Sequence, residues 1–171
     1  MGRGIVTILS ALFVALLLFA SPVHAQQANL GAGQIGRALK VCVLRAQPGD
    51  DPAQLIRQPQ RFDCTTKQTD FGPGDYWVIS NEIGVHSRSD DPLAARLGSV
   101  WQQRLALRVL YADGRIATMA DDNRGITRRI QLGAIVEYPI PQHHAAGQRL
   151  MWQVEGSGNL GGIVIGPRRA T

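Results

Sequence analysis

Hydrophobic and polar residues alternate with a period of two over much of the chain, and this alternation predicts short β-strands. The longest such segment spans residues 100–111, where leucine or valine at every second position from Leu105 to Val109 alternates with arginine or alanine. A helix is the competing interpretation, because leucine, arginine and alanine favour helices. Asp113 and Gly114 then form a preferred hairpin sequence. We therefore predict a strand here and a return strand over residues 115–119.

The same pattern predicts further strands, separated by turns rich in glycine and proline. A short helix is the prediction for residues 93–97, one helical turn for residues 53–57 and a polar loop for residues 121–125. Pro139 and Pro141 remove two backbone donors, so residues 138–141 are predicted to be a sheet edge or a connector. The other predicted strands span residues 39–44, 76–80, 127–136, 149–155 and 161–165. About eight antiparallel strands in this arrangement predict an all-β fold, a β-sandwich or jelly roll.

The first 25 residues have the pattern of a secretory signal peptide. Arg3 supplies a positive charge, an apolar run follows over residues 5–20, and Val23-His24-Ala25 ends in a small residue. The alternative is an uncleaved anchor, but the run is shorter than the roughly 20 residues that a membrane-spanning helix needs. We predict cleavage after Ala25 and a periplasmic mature protein. Residues 26–38 are small and polar and predict a flexible lead before one sandwich domain over residues 39–169.

Two cysteines, Cys42 and Cys64, lie in the mature part of the chain. In an oxidising compartment a pair of cysteines indicates a disulfide. The alternatives are a metal-binding pair, which would need more soft ligands nearby, and a redox pair, which usually has the spacing Cys-x-x-Cys. We predict a structural disulfide. The formal net charge of +5 is compatible with nucleic acid, but export argues against that partner and favours an acidic surface or anionic lipid.

No catalytic constellation is apparent. The chain lacks a Gly-x-Ser-x-Gly nucleophile motif, and its few glutamates show no pairing, so we expect a domain that is not an enzyme and uses no cofactor or metal. His143 and His144 are adjacent in a predicted loop. They would bind a metal ion only if Asp121 or Asp122 came near, and a solvated loop is the favoured interpretation.

The tryptophans and arginines suggest a ligand site instead, because tryptophan beside arginine can stack on sugar rings or anionic ligands. Trp77 and Trp152 have apolar neighbours and are predicted to fill the core. Trp101 has polar neighbours, and several arginines cluster shortly after Asp122, where they form either an anion clamp or a solvated face. The candidate ligand-binding residues are therefore Trp101, Arg104, Asp122, Arg124 and Arg128.

Several stretches together resemble one family of sensor domains. They are Gly74-Asp75-Tyr76-Trp77-Val78, residues 100–111 with the turn after them, residues 126–134, and residues 149–154 followed by residues 161–166. This set resembles the extracytoplasmic N-terminal domain of bacterial seven-transmembrane receptors with diverse intracellular signalling modules. The Tyr-Trp pair of that family is usually followed by Leu-Arg, whereas Val78-Ile79 stands here. The resemblance implies a periplasmic jelly roll, carbohydrate-binding-like in shape.

The sequence thus leads to a non-catalytic periplasmic domain that senses a small molecule, a carbohydrate or an anion. In a longer receptor its partners would be membrane helices and an output domain, often a diguanylate cyclase. The alternative is a free periplasmic protein that acts as a protein–protein interaction module of the envelope. A third hypothesis is an enzyme with a metal site built from loops near His143 and Asp121.

Overall fold

A computed structural model describes residues 36–66, 70, 72–98, 102–131, 133–156 and 162–168. The predicted signal peptide, most of the predicted lead and the candidate residue Trp101 lie outside the described residues. Among the residues described, no helix combines the length and apolarity needed to cross a membrane.

The described residues form ten strands, two short α-helices and a 3₁₀ turn at Pro59–Arg61. The strands are β1 (Arg37–Ala38), β2 (Val41–Arg45), β3 (Tyr76–Ser80), β4 (Leu93–Leu97), β5 (Arg104–Tyr111), β6 (Ile116–Asp122), β7 (Ile130–Gln131), β8 (Ile135–Pro139), β9 (Gly147–Glu155) and β10 (Ile163–Pro167), and the helices are α1 (Pro52–Leu55) and α2 (Asn123–Arg128). Sheet A has the order β1-β10-β4-β8-β7, and sheet B has the order β2-β3-β9-β5-β6. All neighbouring strands are antiparallel.

The two sheets pack face to face, which confirms the predicted all-β sandwich of jelly-roll type. Alternate residues of each strand point into the space between the sheets, as the pleat requires. Tyr76 and Val78 of sheet B belong to the same buried cluster as Leu97, Val136 and Ile165 of sheet A. The core between the sheets therefore receives side chains from both sheets.

Sheet B also has a covered outer face. Trp77 and Ile79 point away from the main core and pack in a second buried cluster with Leu55, Ile56 and Phe62. These last three residues belong to the chain between β2 and β3, which contains α1 and the 3₁₀ turn. Every residue of β3 is consequently buried, so its residues from Tyr76 to Ile79 do not alternate with polar ones.

The predicted disulfide is confirmed. Cys42 and Cys64 are bonded, their Cα atoms lie 4.1 Å apart, and the bond closes the segment that covers sheet B. Beside it, the amide of Val43 donates to the carbonyl of Asp63 and the amide of Asp63 donates to the carbonyl of Val43, both at 2.8 Å. The covering segment is therefore fixed at its end by a covalent bond and a two-bond β-bridge.

The predicted hairpin is confirmed as β5 and β6. The amide of Tyr111 donates to the carbonyl of Arg115 at 2.9 Å, and Gly114 has φ of 84°. This left-handed conformation costs glycine little, because glycine has no Cβ. The turn chemistry thus decided correctly between strand and helix.

Three local predictions are wrong. Residues 93–97, predicted as a helix, form β4, because pairing with β10 on one side and β8 on the other overrides the helix propensity of Leu-Ala-Ala-Arg-Leu. The predicted loop at residues 121–125 contains the end of β6 and the start of α2, whose N-cap is Asp122. The predicted strand over residues 127–136 is interrupted, since α2 continues to Arg128 and Ala134 has φ of 57°.

Residues 138–141 were predicted to lie at a sheet edge, and Pro139 lies at such an edge only locally. Strand β8 lies between β4 and β7, but β7 pairs only with Ile135 and Val136. Pro139 faces Ala94 of β4, beyond the end of β7. The missing proline donor therefore falls where the described part of sheet A is one strand narrower, in agreement with the rule for proline in sheets.

Candidate functional site

The outer face of sheet B carries a polar region beside the covering segment. Cross-strand register sets Trp77 of β3 beside Gln153 of β9, and Gln153 beside Ala106 of β5. In the next row outward, Glu155 of β9 is beside Arg104 of β5. Residues two apart on one strand share a face, so these side chains all point away from the core.

A pocket of about 450 Å³ opens on this face. Its floor is formed by β3 and β9 through Trp77, Gln153 and Glu155, and Asp75 lies just before β3. Its rim is the loop that leads into α1. The residues of this rim are Ala46, Gln47, Pro48, Gly49, Asp50 and Pro52. We call this cavity the Trp77 pocket.

Asp50 joins the rim to the floor. Its Oδ2 accepts a hydrogen bond from the indole Nε1 of Trp77 at 2.9 Å and from the amide of Gln47 at 2.8 Å. The guanidinium of Arg61 lies 3.9 Å from the other oxygen. A single carboxylate thus fixes both the loop conformation and the orientation of the tryptophan ring.

The polar groups of the Trp77 pocket are mostly acceptors. Oε1 of Glu155 accepts from Nε2 of Gln153 at 2.9 Å, and Oε2 lies 3.5 Å from Nη1 of Arg104. Oδ1 of Asp75 accepts from the amide of Gly156 at 2.9 Å. Three carboxylates and one amide therefore surround the cavity, a set that suits ligands with several hydroxyl donors better than anions.

The guanidinium of Arg108 packs against the indole ring of Trp77. The guanidinium carbon of Arg108 lies 5.3 Å from the centroid of the indole ring, within the range of a cation–π interaction. Nη1 of Arg108 is buried and has no hydrogen-bond partner, and burial lowers the pKa of this guanidinium. Trp77 is only 3% exposed, so it offers a ligand too little surface to serve as a stacking platform. Trp77 and Trp152 are both buried, as predicted.

Of the candidate ligand-binding residues predicted from the sequence, the structure places Arg104 near the Trp77 pocket and the other described ones elsewhere. Arg104 and Asp122 face each other across β5 and β6, and Arg104 reaches the pocket through Glu155. The carboxylate of Asp122 is engaged as the cap of α2, where it accepts from the amide of Gly125 at 2.9 Å. Arg124 and Arg128 are exposed on α2. None of the hydrogen bonds and ion pairs of the described residues connects either of them to the pocket.

Sequence reasoning missed Asp50, Asp75, Gln153 and Glu155. The first two belong to turn clusters, which predict loops and not sites. The alternation of residues 149–155 placed Gln153 and Glu155 on the face opposite the core, and their common face with Trp77 was the available signal. Only the strand order shows that β3 and β9 are neighbours.

The sequence-based hypothesis that Asp121 or Asp122 joins His143 and His144 in a metal site is wrong. Asp121 forms an ion pair with Arg129, and Asp122 caps α2. Burial, followed by the hydrogen bond and charge of Asp121, raises the pKa of Tyr138 well above its usual range. The two histidines lie instead beside Asp113 of the β5–β6 hairpin.

No protein-family model matches the chain, and no curated protein matches it. Among similar solved structures is the crystal structure of a carbohydrate-binding module specific for non-crystalline cellulose, CBM28. The two sequences are 9% identical, and the match covers 55% of this chain and 65% of that one with a TM-score of 0.29. It therefore spans less than two thirds of that module.

Proposed function

We propose that this chain is an extracytoplasmic, non-catalytic domain that binds a small polyhydroxyl ligand, a carbohydrate of one or two rings, in the Trp77 pocket. The observation that carries the proposal is the acceptor-rich lining of this cavity. Asp50, Asp75 and Glu155 offer carboxylate oxygens, and Gln153 adds an amide. A cavity of about 450 Å³ falls within the range of about 300–1,000 Å³ that is typical of small-molecule sites.

The charge of the pocket favours a neutral or amino sugar over an anion. Arg104 is the nearest cation to Glu155, and its side chain is 61% exposed, so solvent screens its charge. An anionic ligand would approach three carboxylates. A sugar hydroxyl, by contrast, donates to a carboxylate in a charge-assisted hydrogen bond, which is stronger than a neutral one.

Location and signalling form the wider part of the proposal. The pattern of the first 25 residues supports export, and the Cys42–Cys64 disulfide supports an oxidising compartment. The proposed organisation is a cleaved signal peptide, a lead and one sandwich domain up to residue 169. The predicted lead over residues 26–38 is too long at its end, because Arg37 and Ala38 pair with β10 as strand β1. In a receptor, a sugar would act by binding two states of the domain with different affinities. Finding seven membrane helices and an output domain in the full-length gene product would support this role.

The binding proposal is tested by calorimetry on the mature chain. The panel contains neutral monosaccharides and disaccharides, amino sugars and the matching uronates. We expect heat with a neutral or amino sugar and none with its uronate.

Two substitutions then locate the site. D75N and Q153A should each weaken binding at least about fivefold, the value of one lost hydrogen bond. D90N is the matched control, because Asp90 is an exposed carboxylate outside the Trp77 pocket, and it should bind like the wild type. Equal affinity in D75N, Q153A and D90N, or a preference for uronates, would overturn the assignment.

A further inference from the structure

A second group of side chains converges at the opposite end of β5. Oδ2 of Asp113 lies 2.8 Å from Nε2 of His143 and 3.4 Å from Nε2 of His144. Asp113 belongs to the β5–β6 hairpin, and the two histidines belong to the loop between β8 and β9. Since Arg104 and Tyr111 are seven residues apart, this group lies about 24 Å from the Trp77 pocket along the strand.

The group is held in place by contacts between the hairpin and the loop. The rings of Tyr111 and His143 pack edge to face with centroids 4.3 Å apart. The hydroxyl of Tyr111 donates to the carbonyl of Pro141 at 2.9 Å, and the amide of Ala112 donates to the carbonyl of Ala146 at 2.9 Å. The side chain of His143 is only 14% exposed. Two of the three converging groups are therefore placed by packing and backbone hydrogen bonds.

The geometry is that of a metal ligand set. Imidazole nitrogens and carboxylate oxygens bind zinc at about 2.0–2.2 Å, so ligand atoms of a tetrahedral site lie about 3.3–3.6 Å apart. The 3.4 Å between Asp113 and His144 matches this spacing. The 2.8 Å between Asp113 and His143 is that of a hydrogen bond, which a bound cation would replace and lengthen by about 0.5 Å. One ligand atom from each residue lies within 4.8 Å of the other two. His144, whose side chain is 74% exposed, is the ligand with the most room to adjust.

We propose that Asp113, His143 and His144 bind one divalent transition-metal cation of the zinc class. Two imidazoles and one carboxylate make three protein ligands, which leaves the fourth tetrahedral position for water or a ligand. His143 and His144 also line an open pocket of about 620 Å³ with Ser87, Arg88 and Asp90, which gives that position access to solvent. The bound cation joins the β5–β6 hairpin to the β8–β9 loop.

Two cations lie near the site, and one of them opposes binding. Nε of Arg115 is 3.8 Å from Oδ2 of Asp113. Arg88 lines the neighbouring pocket, but its Nε lies 3.1 Å from the carboxylate of Asp90. Arg115 is thus the cation that competes directly for Asp113. Its removal by R115Q should raise metal affinity about two- to fivefold, the effect of one exposed charge pair.

The test titrates zinc into the mature, tag-free protein by calorimetry, with cobalt absorption spectra as a second readout. We expect one zinc per chain and a tetrahedral cobalt spectrum. H144Q should weaken zinc binding at least about tenfold. Even the loss of a group that only contacts a metal ligand lowers metal affinity about 10–100-fold, and His144 is proposed to bind the metal directly. The side chain of His144 is 74% exposed, so this variant should fold normally, which circular dichroism checks.

H86Q is the matched control, because His86 is exposed and lies outside the ligand group. It should bind zinc with wild-type affinity. Equal losses in H86Q and H144Q, unchanged binding in H144Q and D113N, or a stoichiometry other than one would overturn the site. Sugar binding in the Trp77 pocket is measured without metal, so the two proposals fail independently.

Discussion

Arg96 of β4 and Glu137 of β8 form an ion pair on the outer face of sheet A, with Nε and Oε2 2.8 Å apart. The side chains are only 1% and 8% exposed, and Arg96 also donates to the carbonyl of Pro167. Taking both charges out of water is costly, so such a pair is stable only when both partners are present.

E137A should therefore destabilise the domain by about 3–5 kcal/mol, because it leaves Arg96 buried without its counter-charge. The double variant R96M/E137L should recover most of that loss, since apolar residues of similar size replace a buried pair at little cost. Urea unfolding of both variants measures the difference. If E137A unfolds at the wild-type urea concentration, the pair is not buried as described.

Removal of the disulfide should lower the stability of the domain. The bond joins residues 22 positions apart, and closing a loop of that length is worth about 3 kcal/mol in the chain-entropy model. C42A/C64A should lose about this amount in urea unfolding. Reductant supplies the control, because it should lower the stability of the wild type and leave the double variant unchanged. An equal effect of reductant on both proteins would contradict the prediction.

The side chain of Arg108 should contribute little to the stability of the domain. Its Nη1 is buried without a partner, and a buried unsatisfied donor costs about 1–3 kcal/mol, which offsets a desolvated cation–π contact of about 2 kcal/mol. R108M should therefore be within about 1 kcal/mol of the wild type in thermal or urea unfolding, although it removes the contact with Trp77. R45M is the comparison variant: exposed Arg45 lies 5.9 Å from the ring of Tyr76 and its guanidinium donates to the carbonyl of Pro73 at 3.2 Å, so R45M should not stabilise the domain. A larger destabilisation in R108M would show that the guanidinium is satisfied.

The carboxylate of Asp63 should make stability depend on pH. Hydrogen bonds from the Thr65 amide, from Thr66 and from the Thr65 hydroxyl hold the pKa of Asp63 well below its usual range. The ionised form is therefore favoured in the folded state, and its contribution is present above the unfolded pKa of about 4 and lost as pH falls below it.

D63N should accordingly be less stable than the wild type at pH 7, and the difference should shrink as pH falls from about 5 towards 2. Melting temperatures measured over this range test the prediction. T65V removes one of the donors, at 2.7 Å, and should reproduce part of the effect. If the melting temperatures of wild type and D63N differed by the same amount at every pH, protonation of Asp63 would not affect stability and the prediction would be wrong.

Local sequence patterns were enough to predict strands that have one buried and one exposed face. The alternation around Leu107 and the Asp113-Gly114 turn predicted the β5–β6 hairpin, because side-chain period and turn chemistry depend only on neighbouring residues. The burial of Trp77 and Trp152 and the pairing of Cys42 with Cys64 followed in the same way. Strand β4 could not be found, because a strand buried on both faces lacks alternation and its pairing partners are distant in sequence.

By itself, then, the sequence determined the all-β class, the hairpin, the disulfide and the apolar composition of β3. Tertiary structure alone decided which polar residues meet. Asp50 reaches Trp77, Glu155 lies beside Arg104, and Asp113 faces His143, although 27, 51 and 30 residues separate them. The physical reason is that strand order and loop closure bring these positions together through the burial of other residues, so no local signal marks them.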